Sequence, residues 1–243
     1  MKIKYFTLPN IITLGNLLCG TMATICAVSH IWEPESTPLT LPLIFIAASA
    51  LFDFLDGFTA RLTGQYSALG VQLDSLADMV SFGLTPSLVL VALFNDAQGE
   101  GWWWLVCLLV VLFSALRLAR FNIDEEQKES FIGLPTPALA IAVGSLAWAV
   151  AEGTLSLNPS YILAISVVGA WLLISPIRMF SLKFKGFSTR TPENRLRYLF
   201  ILLAVVILCI GGLGTAWMVI LLYIILSIVT HICGGKKSKT ANK

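Results

Sequence analysis

Four aspartates lie close together in a chain that is otherwise strongly apolar: Asp53, Asp56, Asp74 and Asp78. The first two are three residues apart and the last two are four apart, so on helices each pair lies on one face. Four carboxylates held close together cannot all stay ionised unless positive charge compensates them. No histidine or cysteine stands near them in the sequence, and oxygen ligands alone suit a hard divalent cation such as Mg²⁺, Mn²⁺ or Ca²⁺. Two such ions could clamp the oxygens of a phosphoryl group during its transfer.

Two other uses of carboxylates fit the same spacing. A transporter could use them as a path for protons or cations, or they could pair for structural reasons. Gly57 and Ala60 share the helix stripe of the first aspartate pair, and Gly70 stands one turn before the second pair. Small side chains there would leave the helix surface bare for a bulky ligand, although small residues also let helices pack closely. Spacing alone therefore leaves the metal, transport and structural roles open.

The composition places these acids in a membrane protein. Of the 243 residues, 57% are hydrophobic and 12% are charged, and the mean hydropathy is +0.83, whereas soluble domains carry about 25% charged residues. Apolar runs long enough for a hydrocarbon core of about 30 Å recur along nearly the whole length, which leaves no room for a separate soluble domain. We therefore predict an all-α fold with a single membrane domain over residues 1–243. A net charge of only +2 gives no support to nucleic-acid binding.

Apolar segments predict a polytopic bundle of about eight transmembrane helices, at residues 11–30, 39–61, 70–95, 102–121, 134–151, 160–177, 197–211 and 214–232. When these are joined as alternating spans, every Lys and Arg falls at one end, and the opposite loops carry acidic residues instead. The positive-inside rule then predicts that both termini are cytoplasmic. The same topology puts the four aspartates at one depth, roughly 7–12 Å inside the cytoplasmic helix ends at 1.5 Å per residue.

The acidic stretch also carries a longer pattern, Asp53-x2-Asp56-Gly57-x2-Ala60-Arg61-x8-Gly70-x3-Asp74-x3-Asp78. This pattern resembles the complete signature of the CDP-alcohol phosphatidyltransferase family. The resemblance implies a multi-helix membrane enzyme, typically a homodimer, that moves a phosphatidyl group from a CDP-linked lipid to an alcohol and releases CMP. It also implies two divalent metal ions, Mg²⁺ or Mn²⁺, between two adjacent helices.

Further segments resemble those members of the family that use L-serine as the acceptor: LPNIITLGNLLCG (8–20), DSLADMVSFGLTPS (74–87), ALRLARFNI (115–123) and GLPTPALA (133–140). The implied substrates are CDP-diacylglycerol and L-serine, in a cell (inner) membrane with the active site facing the cytoplasm. A sister enzyme that uses glycerol phosphate or inositol is the nearer alternative. An ion-coupled transporter that uses the same carboxylates is the alternative from another class.

The resemblance assigns roles to the signature residues position by position. It implies that Asp53, Asp56 and Asp74 are metal ligands and that Asp78 is the general base, with a further metal contact. It places three residues in the CDP site, with small side chains that admit the nucleotide and a cation that faces a phosphate: Gly57, Ala60 and Arg61.

Polar residues outside the signature supply candidates for the substrates. Asn10 and Asn16, in an otherwise apolar first segment, could hydrogen-bond the nucleotide, although Asn10 could equally be a helix cap. Serine brings its own carboxylate, so its pocket should offer a cation, and Arg117 and Arg120, with Asn122 beside them, are the candidates. The ordinary positive flank of a membrane helix would equally explain the two arginines.

Overall fold

The computed structural model of the protein describes residues 5–124, 132–179 and 192–240. Lys128 and most of the basic connection over 178–197 therefore lie outside the described residues. Within the described part the chain forms eight helices and no β-strand: α1 (Leu8–Trp32), α2 (Leu41–Thr63), α3 (Ala68–Asp96), α4 (Gly101–Ile123), α5 (Thr136–Ala151), α6 (Pro159–Ile174), α7 (Pro192–Gly211) and α8 (Ala216–Thr240). The predicted all-α fold and the eight predicted helices are confirmed.

Six of the described helices, α1–α4, α7 and α8, are long and apolar enough to cross a membrane, so the chain is an integral membrane protein. Helices α5 and α6 have 16 residues each. At 1.5 Å per residue they reach about 24 Å, less than a hydrocarbon core of about 30 Å. Helix α5 is buried or half-buried on every side up to Val150, whereas α6 has both buried and exposed positions; Val143 and Ile162 are fully buried.

Capping residues determine the helix ends nearest the aspartates: the start of α1, the end of α2 and the start of α3. Thr7 caps α1, because its hydroxyl accepts a hydrogen bond from the Asn10 backbone N–H at 3.4 Å. Helix α2 stops at Gly64, whose φ of +64° favours glycine. Ser67 caps α3 by accepting from the Gly70 backbone N–H at 2.9 Å. The α2–α3 connection is therefore a short turn, and the two helices run antiparallel.

Helix α1 packs closely against α3. A Cβ at Gly20 would collide with Ser81 of α3, so the absence of a side chain permits this approach. Such small-residue contacts are how helices associate in lipid, where apolar burial supplies little driving force. The Thr85 hydroxyl donates to the Gly20 carbonyl at 3.2 Å or to the Val80 carbonyl at 3.0 Å. This contact holds α1 against the middle of α3.

Helix α3 departs from α-geometry directly after Asp78, in a π-helical turn over Met79–Leu84. Gly83 lies within this turn and Pro86 just after it, and both residue types disfavour a regular helix. Gly83 lies against α4, where an added Cβ would approach the Ser114 Cβ to 3.1 Å. Single π-turns within α-helices are frequent at functional sites.

The far end of the bundle, away from the four aspartates, is held by a buried histidine. The His30 ring places Nε2 2.9 Å from Asp96 Oδ2 and Nδ1 2.7 Å from the Thr37 carbonyl oxygen. These contacts join the end of α1 to the end of α3 and to the loop before α2.

Candidate metal and nucleotide site

Three of the four aspartates converge between α2 and α3. One carboxylate oxygen from each of Asp53, Asp56 and Asp74 lies within 4.8 Å of the other two. Asp56 is buried and the other two are half-buried. The short α2–α3 turn and the shared helix faces bring them together as the spacing predicts.

The chemistry of this three-carboxylate group fits a hard divalent cation. All its donors are oxygens, and Asp74 Oδ1 is buried with no hydrogen-bond partner among the described residues. A buried polar atom without a partner costs about 1–3 kcal/mol, and more when the group is charged. A bound cation would remove that cost. Asp53, Asp56 and Asp74 could therefore hold Mg²⁺ or Mn²⁺.

Asp78 is absent from the three-carboxylate group. It lies one helical turn beyond Asp74 on α3 and is 9% exposed. Its Oδ1 accepts a hydrogen bond from Asn16 Nδ2 at 3.0 Å. The Arg117 guanidinium of α4 lies near enough for electrostatic attraction to Asp78. Asp78 thus lies outside the three-carboxylate group but close enough to feel the charges of its members, and its predicted metal contact stays a prediction.

An open cleft of about 340 Å³ adjoins the three-carboxylate group, at the start of α1, the end of α2 and the start of α3. All three residues predicted for the CDP site line it, together with Asp56 and Asp74 and with Asn10 and Gly70, which the sequence also indicates for the ligand. The lining residues that the sequence did not assign there are Pro9, Thr13, Gln65, Tyr66, Ser67 and Val71. The cleft therefore joins the acids to the small residues of the signature.

Gly57 faces open space in this cleft. A Cβ added to it would meet no atom within 4 Å among the described residues, so this glycine is not a helix-packing contact there. Gly70, across the cleft, has only the Asn10 and Ser67 side-chain oxygens near its missing Cβ, at 3.1 and 3.2 Å. The bare helix surface that the sequence predicts at Gly57 is present.

We expect Gly57→Leu to weaken CDP-lipid binding by at least tenfold, because the new side chain would occupy the cleft. Its melting temperature should stay near that of the original protein, because no packing is disturbed and glycine is itself unfavourable within a helix. Steady-state kinetics with varied CDP-lipid, beside a thermal melt, checks both. Gly57→Ala is the matched control and should bind nearly normally. Equal CDP-lipid affinity in the leucine variant would contradict a nucleotide site here.

The two arginines predicted to bind the serine carboxylate differ in burial. Arg117 is 9% exposed; its Nη1 donates to Thr136 Oγ1 at 3.3 Å, and its Nε is buried without a partner among the described residues. Arg120 is exposed, with its Nε 3.5 Å from an Asp124 carboxylate oxygen. Asn122 donates to Ser75 Oγ at 2.9 Å. Of these three residues, Arg117 alone has a buried hydrogen-bonding atom without a partner among the described residues, and it interacts electrostatically with Asp78.

The turn before α5 places Thr136 against Arg117. Gly133 has a φ of +79°, and a Cβ there would collide with the Leu173 carbonyl oxygen of α6. The Leu134 backbone N–H donates to the Leu172 carbonyl at 2.9 Å. These contacts anchor the turn and the start of α5 on α6.

Asn16 lies next to Asp78 instead of lining the cleft. It is fully buried, and its Oδ1 accepts a hydrogen bond from Ser81 Oγ at 2.8 Å. Its predicted contact with the nucleotide remains a prediction. Sequence reasoning missed Thr13, which donates to Asp56 Oδ2 at 2.6 Å. The available signal was its position one turn before Asn16 on the same face of α1.

The fold and site together define a polytopic membrane protein with three converging carboxylates, which could hold a cation, beside an open cleft at one end of its helix bundle. The profile of the CDP-alcohol phosphatidyltransferase family matches residues 6–175, and the chain belongs to this family. The match ends after α6, so α7 and α8 lie outside it.

Several proteins named CDP-diacylglycerol–serine O-phosphatidyltransferase are similar to this chain. The one from Mycobacterium tuberculosis is 33% identical, over 93% of this chain and 76% of its own length. The one from Bacillus subtilis is 31% identical, over 77% of this chain and 94% of its own. The one from Methanocaldococcus jannaschii is 30% identical, over 95% of this chain and 97% of its own.

Proposed function

We propose that this protein transfers the phosphatidyl group of CDP-diacylglycerol to the hydroxyl of L-serine, giving phosphatidylserine and CMP. The observation that carries the proposal is the division among the four aspartates. Three of them converge beside the cleft, whereas Asp78 lies outside that group, hydrogen-bonded to Asn16 and within electrostatic range of the other acids and of the buried Arg117. Family membership supports the reaction class, and the names of the similar proteins support serine as the acceptor.

The cleft binds the CDP end of the lipid. Gly57 and Ala60 leave room for the nucleotide, and Arg61 at the end of α2 faces a phosphate. Asp53, Asp56 and Asp74 would hold the divalent ions, two in number as the resemblance implies. When bound, these ions draw charge from the pyrophosphate oxygens and make CMP a better leaving group.

Asp78 acts as the general base. It accepts the proton of the serine hydroxyl as that oxygen attacks the phosphorus, and the bond from phosphorus to the CMP oxygen breaks. No covalent enzyme intermediate is required. The Asn16 hydrogen bond holds one Asp78 oxygen and leaves the other carboxylate oxygen for the proton.

Arg117 binds the carboxylate of serine. Its Nη1 is held by Thr136, so the free Nε can donate to an anion, and hydrogen bonds between charged groups are the stronger kind. Because Arg117 also interacts electrostatically with Asp78, a serine carboxylate bound at Arg117 would lie near the proposed base.

Arg117→Ala should raise the KM for L-serine by about 10–100-fold, the equivalent of the 1.5–3 kcal/mol that a charged hydrogen bond contributes. The KM for CDP-diacylglycerol should change by less than about threefold. Arg120→Ala is the matched control, because Arg120 is exposed. An equal rise in serine KM in both variants would mean that the arginines act only as a general positive flank.

We extend the proposal to the setting of the enzyme. The Lys and Arg segregation supports a cell (inner) membrane protein with both termini and the three-carboxylate group on the cytoplasmic side. The whole chain forms one membrane domain, and the resemblance supports a homodimer.

An acceptor panel tests the proposed function. The purified protein is mixed with CDP-diacylglycerol, a divalent ion and, in turn, L-serine, glycerol phosphate or inositol, and CMP release is measured. Release with serine alone is the expected result. Release with another alcohol alone would move the protein to a sister activity, and no release with any acceptor would favour an ion-coupled transporter.

A further inference from the structure

Helix α1 contributes two buried donors to the site, one turn apart. The Thr13 hydroxyl lies 2.6 Å from Asp56 Oδ2 on α2, and Asn16 Nδ2 lies 3.0 Å from Asp78 Oδ1 on α3. Thr13 is 3% exposed and Asn16 is fully buried. One helix therefore reaches two acids on two different helices.

The Thr13 contact has the length of a charge-assisted hydrogen bond. Hydroxyl donors bond carboxylates at about 2.5–2.7 Å, and Thr13 has a longer contact of 3.1 Å to the Pro9 carbonyl oxygen. Since a hydroxyl has one hydrogen, the shorter contact indicates donation to Asp56 Oδ2. That bond fixes the orientation of the Asp56 carboxylate within the three-carboxylate group.

A second hydrogen bond, from Ser81, fixes the orientation of the Asn16 side chain. Ser81, in the π-helical turn, donates to Asn16 Oδ1 at 2.8 Å, so the amide nitrogen points at Asp78. The Asn16 backbone carbonyl lies within 3.2 Å of the hydroxyls of Ser49 and Ser81. Every polar group of this side chain is thereby used within the protein, which fits orientation of Asp78 better than contact with a substrate.

We propose that Thr13 and Asn16 are positioning residues with separate tasks: Thr13 orients Asp56 for metal binding, and Asn16 orients Asp78 for proton transfer. This inference rests on the proposed function for the role of Asp78. The separation follows from the geometry, because Asp56 belongs to the three-carboxylate group and Asp78 does not. Removing the hydrogen-bond partner of a metal ligand typically weakens metal binding 10–100-fold.

The test measures two quantities in each variant: the Mn²⁺ binding midpoint, from the electron paramagnetic resonance signal of free Mn²⁺, and kcat for CMP release at saturating metal. Thr13→Val should raise the Mn²⁺ midpoint at least tenfold, and Thr13→Ser should restore it. Asn16→Ala should lower kcat at least tenfold with an Mn²⁺ midpoint within about twofold of the original protein.

Two further variants separate positioning from folding. Ser81→Ala leaves Asp78 and Asn16 in place but removes the support of Asn16, so it should lower kcat by a smaller factor without moving the Mn²⁺ midpoint. Thr24→Val is the control: Thr24 is a polar residue of α1 that contacts Gly20 and Thr85 and touches none of the four acids. It should leave both quantities unchanged.

Two outcomes would overturn the inference. One is an unchanged Mn²⁺ midpoint in Thr13→Val; the other is an equal shift of both quantities in the Thr13 and Asn16 variants. Mn²⁺ binding does not depend on the acceptor alcohol. Failure of the proposed function would instead appear as absent serine-dependent CMP release in the unmodified protein.

Discussion

Asp78→Asn is expected to reduce turnover by about 10³-fold or more, within the 10²–10⁴-fold that a positioned general base contributes. Asparagine has the shape of aspartate and can still accept the hydrogen bond from Asn16, so the packing of α3 should be kept. It cannot take the proton of the serine hydroxyl at neutral pH. Binding of CDP-diacylglycerol and of Mn²⁺ should persist, because Asp78 is absent from the three-carboxylate group.

The measurement is kcat for CMP release beside equilibrium binding of a CDP-lipid. Asp124→Asn is a matched control, because it is the same substitution at the end of α4, where the carboxylate faces Arg120. It should retain nearly full activity. Full activity in Asp78→Asn would remove Asp78 as the base.

Asp74→Asn is expected to be nearly as damaging at low metal concentration, for a different reason. It removes one charge from the three-carboxylate group and replaces the orphaned Asp74 Oδ1 with an amide atom. We expect the Mn²⁺ midpoint to rise at least about 100-fold, the upper end of what loss of a ligand's supporting partner costs. Because the base is intact, part of the activity should return at high metal concentration.

This recovery distinguishes the two aspartates. Metal titration followed by CMP release should rescue Asp74→Asn and should leave Asp78→Asn inactive at every metal concentration. If excess metal rescues neither variant or both equally, the four acids do not divide into ligands and a base.

The helices and the meeting of the acids were predictable because strong periodic signals determine them. Long apolar runs, capped by Thr7 and Ser67 and ended by Gly64, leave few alternatives to membrane helices. Each acid pair lies on one face of its helix, and the short turn between the two helices brings the pairs close together. Family resemblance then supplied roles for those residues, which spacing alone had left open between metal, transport and structure.

The rotation of each helix about its own axis could not be predicted from the sequence. Arg117 and Arg120 are three residues apart, which at 3.6 residues per turn separates them by about 60°. That rotation is enough to bury Arg117 against Thr136 and leave Arg120 exposed. Asn16 presents the same problem, since an apolar helix does not reveal which neighbour a buried amide will face.

The π-helical turn after Asp78 was also only partly predictable. Gly83 and Pro86 indicate a break in regular helix, but the form of the break depends on contacts with two other helices. Gly20 of α1 admits Ser81, and Ser114 of α4 lies against Gly83. Ser81 then reaches Asn16, so a contact far apart in the sequence supports the residue that holds Asp78.

Product formation after metal removal tests directly whether the protein transfers the phosphatidyl group to serine with the help of a divalent ion. The purified protein is stripped with a chelator and supplied with CDP-diacylglycerol and L-serine, and CMP and phosphatidylserine are quantified before and after Mg²⁺ or Mn²⁺ is returned. If the transfer to serine depends on metal, the stripped protein forms no product, and equal amounts of CMP and phosphatidylserine appear once either ion is added. Undiminished product from the stripped protein, or CMP release that needs no serine, would contradict it.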